Sequence, residues 1–78
     1  RDISVYPNPA DDILYVSLSR SMDEPCAVSL FNIQGIQIRT MMAVQGINTI
    51  TVHNIKPGMY ILKVANSNEI ITKRIVIR

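Results

Sequence analysis

Aromatic residues are scarce in this 78-residue chain: it has no tryptophan, one phenylalanine and three tyrosines. Sugars stack on exposed aromatic platforms, and nucleic acids want clustered cations interleaved with aromatics, so the composition counts against both ligands. The net charge of +2 arises from eight scattered Lys and Arg against six Asp and Glu, which makes no basic stripe. Cysteine and histidine are nearly absent too. Cys26 stands alone and closes no internal disulfide, and with His53 far from it in sequence the ligands of a zinc site are lacking. Cys26 therefore reads as a packed or partly exposed thiol and His53 as a surface residue beside a turn. Asp11-Asp12 and Asp23-Glu24 fall short of the about six oxygens a hard cation collects, and read as solvated turn residues. No metal or cofactor is expected. With no Ser or Cys placed to use His53 as a base and no glycine-rich phosphate loop, the chain is read as a non-enzyme. Apolar runs never reach the ~18 residues of a membrane-spanning helix. The chain opens Arg1-Asp2-Ile3, without a start methionine or an apolar leader, and is expected to be a fragment of a larger protein.

What the chain does have is β-branched residues in short bursts. At 47% hydrophobic and 18% charged it is too apolar for disorder, and its length suits one small, marginally stable domain. Runs of Val, Ile, Thr, Leu and Tyr recur every ~8–12 residues between Gly, Pro, Asn and Asp, while helical periodicity is weak. This predicts an all-β domain, an immunoglobulin-like antiparallel β-sandwich of about seven strands without the Cys-Trp-Cys core of antibody domains.

Residues 3–6 form the first run, stopped where Pro7 and Pro9 remove backbone donors and hold the chain extended around Asn8. Residues 13–19 place Leu14, Val16 and Leu18 on one face, and residues 20–25 read as a loop. In the run 26–31, Val28 and Leu30 turn inward. Asn32-Ile33-Gln34-Gly35 is a tight reversal needing a positive φ at Gly35, and the return strand over 36–42 is expected to put Ile36 and Ile38 inward and Gln37 and Arg39 outward. After Gln45-Gly46, residues 47–52 set Ile50 and Val52 opposite Thr49 and Thr51. Pro57-Gly58 suits the central positions of a type II turn. Beyond it Tyr60, Leu62 and Val64 make a purely apolar face and Met59, Ile61 and Lys63 a mixed one; Tyr60 reads as a core ring whose hydroxyl finds a polar partner. A hairpin at Asn66-Ser67-Asn68 leads into residues 69–77, where Ile71, Lys73, Ile75 and Ile77 share one parity and Thr72, Arg74 and Arg78 the other.

The last six residues, Lys73-Arg74-Ile75-Val76-Ile77-Arg78, are the part that packing explains least. Burial accounts for the isoleucines but not for three cations among six positions. Cations on an edge strand block unwanted pairing. Equally, an edge with unpaired N–H and C=O groups can add to a receptor's sheet, with Lys73, Arg74 and Arg78 steering it onto an acidic surface, or can pair with a second copy to give a homodimer. Pro7, Asn8 and Pro9 read as a rigid corner of the sandwich in preference to a docking surface, and for Gly35 and Gly58 backbone geometry is a sufficient reason.

Tyr6-Pro7-Asn8-Pro9-Ala10, the Asn32 to Gly35 turn, Gly58-Met59-Tyr60-Ile61-Leu62-Lys63-Val64 and the basic terminal strand, in that order, resemble one family: the C-terminal sorting domain on cargo proteins of the type IX, or Por, secretion system of certain Gram-negative bacteria. The resemblance runs over residues 6–78. It implies the same immunoglobulin-like fold, and a role for residues 1–78 as the sorting domain of a larger secreted cargo. It further implies that an outer-membrane translocon or a shuttle protein engages the terminal strand and neighbouring loops, and that a sortase-like cysteine protease then removes the domain. The expected route is through the periplasm to the outer-membrane surface or the exterior, where such cargo is commonly attached to a lipopolysaccharide. Arg74 and Arg78 stand where the family more often has lysine, which keeps charge and changes geometry. The residues alone also allow an immunoglobulin-like accessory or spacer module that binds protein or carbohydrate at the cell surface.

Overall fold

Strands that alternate apolar and polar residues each have one face to hide, and two sheets stacked face to face hide them together. The computed structural model, which describes residues 3–19 and 25–78, has this arrangement. One antiparallel sheet holds β1 (Ile3–Tyr6), β2 (Ile13–Leu18) and β5 (Gly46–Thr51) in the order β1-β2-β5. The other holds β3 (Cys26–Asn32), β4 (Gln37–Ala43), β6 (Gly58–Ala65) and β7 (Ile70–Ile77) in the order β4-β3-β6-β7. Over the described residues the chain is thus an all-β, immunoglobulin-like sandwich of seven strands. Most of the loop read at 20–25 lies outside the described residues.

Leu14, Val16 and Leu18 from the first sheet and Val28, Leu30 and Leu62 from the second fill the space between, on the parities read from sequence. Ile75 and Ile77 join them at 1% and 2% exposure, so the terminal strand is part of the core. Cys26 is fully buried there as a small apolar side chain.

The reversal after β3 forms as its residues require. Gly35, at φ 85, donates its N–H to Asn32 O at 3.0 Å, and Asn32 Oδ1 accepts from the N–H groups of Gln34 and Ile36 at 2.9 and 3.0 Å. The strand that follows departs from the alternation expected of it. Leu30 pairs with Arg39 and Phe31 with Gln37, so Ile38 is an extra residue bulged between them. A bulge reverses the parity beyond it. Ile38, Met41 and Ala43 pack toward the core, while Ile36 lies before the strand and is exposed, contrary to expectation. Arg39 follows the core-facing parity, and its guanidinium leaves through the open side of the sandwich to donate to Thr51 O at 3.3 Å and Ile38 O at 3.2 Å.

The type II turn expected at Pro57-Gly58 is also absent. The tight turn lies upstream, where Ile55 N–H donates to Val52 O at 3.1 Å. Gly58 has φ 154, far from the about +80° that a type II turn needs, and already pairs with Ile77 as the first residue of β6.

Candidate recognition site

β7 is the last strand of its sheet, and its outer edge is largely closed. The chain leaves β1 and crosses to the other sheet over residues 7–10, reaching a parallel bridge between Ala10 and Ile77. Ala10 N–H donates to Val76 O and Arg78 N–H to Ala10 O, both at 2.8 Å. Between the two prolines, Asn8 supplies its side chain: Oδ1 accepts from Val76 N–H at 3.0 Å and Nδ2 donates to Arg74 O at 3.1 Å. Prolines suit this crossover because they bring no N–H that would need a partner in either ladder. Both prolyl bonds, Tyr6–Pro7 and Asn8–Pro9, are cis. The unpaired edge expected along the basic ribbon is therefore occupied from Arg74 to Arg78, and strand addition there requires residues 8–10 to leave.

Asn8→Ala removes both side-chain bonds while keeping the prolines. Net hydrogen bonds contribute roughly 1 kcal/mol each, so the variant is expected to lose about 2 kcal/mol of unfolding free energy. Chemical denaturation measures the loss, and faster amide exchange at Val76 locates it.

The three cations of the terminal strand do not share a surface. Lys73 pairs with Leu62 on the core-facing parity and is half-buried at the rim. Arg78 is exposed and bound to Asp11, Nε to Oδ1 at 3.2 Å and Nη2 to Oδ2 at 3.4 Å. Arg74 alone points from the outer face of the four-stranded sheet, where it meets Lys63, a residue the reading of the terminal strand left out. Cross-strand register builds this face in rows. Phe31, Ile61 and Arg74 form one row, Ser29, Lys63 and Thr72 the next, and Met59 with Val76 flank the first. Lys63 Nζ lies 5.6 Å from the centroid of the Phe31 ring, and Ser29 Oγ is 3.4 Å from Thr40 Oγ1. The signal in the sequence was the mixed parity of Met59, Ile61 and Lys63, half apolar where a solvent face would be polar.

Gly35 and Gly58 serve the backbone as described above. Tyr60 is buried, its hydroxyl donating to Lys56 O at the end of the sandwich. His53 is exposed and sits 3.2 Å from Asp12 Oδ1, away from the buried Cys26. Among the described residues no group of three or more His, Cys, Asp or Glu gathers as metal ligands would.

A family model described as a secretion system C-terminal sorting domain matches residues 4–78. No curated protein matches the chain. Among solved structures, that of PorZ, an essential bacterial surface component of the type-IX secretion system of Porphyromonas gingivalis, superposes with a TM-score of 0.74 at 17% identity. The match covers 97% of this chain and 11% of PorZ, a likeness of fold.

Proposed function

This chain belongs to the secretion system C-terminal sorting domain family, the sorting signals of type IX secretion, and from that premise we propose that residues 1–78 are a folded address label on a larger cargo. The cargo is targeted to the outer-membrane surface or the exterior. In this reading it passes through the periplasm with the label attached. A translocon or shuttle protein engages the label at its terminal strand, through the exposed side chains of Arg74, Val76 and Arg78, and a sortase-like cysteine protease later cuts it away. The label is a substrate of that protease, and its own Cys26 is buried, which suits a structural thiol. The family match over nearly the full chain carries this reading.

Fusing residues 1–78 to a periplasmic reporter in a host with type IX secretion tests it. The parental fusion is expected at the cell surface and the bare reporter in the periplasm; equal behaviour of the two returns the domain to a spacer or accessory module. Deleting the last six residues is a poor control, because Ile75 and Ile77 go with the cations. The triple variant Lys73→Gln, Arg74→Gln, Arg78→Gln keeps the core, and its surface delivery is expected to fall by about tenfold or more as charge-steered docking is lost.

A further inference from the structure

We propose that the label docks through the outer face of its four-stranded sheet, centred on Lys63 and Arg74, against an acidic surface of a partner protein. This rests on the label reading and moves recognition from the end of the chain to a face built by three strands, β3, β6 and β7.

Charge is sorted between the two outer faces of the sandwich. The three-stranded sheet shows only uncharged side chains outward, Tyr15 and Thr49 among them. The four-stranded sheet shows Lys63 and Arg74 and no carboxylate; Asp11, Asp12 and Glu69, the acidic residues among those described, lie in the connections before β2 and β7. Lys63 pairs with Thr72, so Arg74 is its diagonal neighbour across the ladder, about 7 Å away at the backbone. Like charges at that spacing repel, and the Arg74 guanidinium meets no acceptor among the described residues. Folding gains nothing from that pair. An opposing group of carboxylates would satisfy both cations at once and cancel their repulsion.

The apolar residues around the cations decide what carries those carboxylates. Met59 and Val76, beside the row of Phe31 and Ile61, are 47% and 39% exposed. Arg, Met and an aromatic ring bedded in apolar surface is the composition of a protein interface. A polysaccharide needs a bare aromatic platform, whereas Phe31 is covered by the Lys63 ammonium. A membrane surface needs apolar groups that reach below the headgroups, and side chains standing side by side on a sheet face offer no such tip.

Lys63 separates this proposal from recognition of the terminal strand, since it lies on β6 outside the last six residues. In the reporter fusion, Lys63→Gln and Arg74→Gln are each expected to lower surface delivery about tenfold, the effect of losing one charge pair at an interface. Lys63→Arg keeps delivery. Lys56→Gln, an equal charge change in the loop before β6, leaves it unaltered, and all four variants melt with the parent. Delivery by Lys63→Gln at the parental level, or an equal loss from Lys56→Gln, overturns the face proposal while the label reading stands. A parental fusion that never reaches the surface removes the label reading itself. A benzophenone amino acid at Thr72, paired with Lys63, identifies the occupant. Support is cross-linking to an Asp- and Glu-bearing stretch of polypeptide that disappears with Lys63→Gln. Cross-linking to lipid or polysaccharide, or capture indifferent to Lys63, overturns the proposal.

Discussion

Replacing Ile75 and Ile77 together by alanine is expected to leave the chain unfolded at room temperature. Both side chains are almost wholly buried, and both reach the core from the terminal strand of the four-stranded sheet. A buried Ile→Ala change costs about 2–5 kcal/mol, partly for lost transfer energy and partly for the cavity left behind. The two sites lie on one strand and couple, yet a combined loss of about 6 kcal/mol, below the middle of the summed range, exceeds the roughly 3–5 kcal/mol that a core in a domain this small supplies. Backbone tethers do not rescue it. The clasp of residues 8–10 holds the edge of β7 only while β7 itself is packed. Far-UV circular dichroism and thermal denaturation of the double variant measure the effect; a cooperative transition within a few degrees of the parent would show that these isoleucines are not core. Truncations of the last six residues thus remove the fold together with the cations. Loss of export after such a truncation carries no information about a receptor.

Leu62→Asp is the second substitution with a large expected effect, and it asks whether the label is read as a shape. Leu62 is fully buried on β6, between Leu30 on β3 and Lys73 on β7. A carboxylate there has no cation at hand except the Lys73 ammonium at the rim, and an uncompensated buried charge costs several kcal/mol, enough to unfold this chain. Every basic residue and every residue of the terminal strand remains in place. If recognition were by linear sequence, the fusion would still be exported; for a folded label it is expected to stay in the periplasm, with loss of the cooperative melting transition as the accompanying measurement. Leu62→Met, close in volume, is expected to be tolerated at a cost of less than about 1.5 kcal/mol and to be exported normally.

Much of the architecture was legible because it depends on near neighbours in the chain. Leu14, Val16 and Leu18, then Tyr60, Leu62 and Val64, alternate with polar or mixed partners, and a pleated strand must send such sets to opposite faces. The turn at Gly35 was legible for the same reason, since Asn32 and the glycine satisfy it within a few residues. Alternation failed over residues 36–42, where the bulge at Ile38 answers a mismatch with β3 that residues on β4 alone do not encode. Pro57-Gly58 misled because the pairing of Gly58 with Ile77 draws it into β6, and that partner is distant in sequence.

The candidate site was less legible than the fold. Parity in the sequence already set Lys73 apart from Arg74 and Arg78, but all three were expected to steer the strand together, and the crossover that brings Asp11 alongside to take up Arg78 was not legible. Lys63 entered the surface only through its register with Thr72.

From its sequence alone, this chain was bound to alternate apolar and polar residues in short runs that become strands, with inward faces set wherever no bulge intervenes, and to carry the motif order of a sorting domain. Those properties follow from local alternation, turn chemistry and composition. Tertiary structure decided which backbone edge is closed and which cations stand together, because both depend on strand partners tens of residues apart: Asn8 with Val76, and Lys63 with Thr72 beside Arg74. Hydrogen-bond register between such partners is set by the packing of the whole sandwich, and no stretch of the chain specifies it by itself.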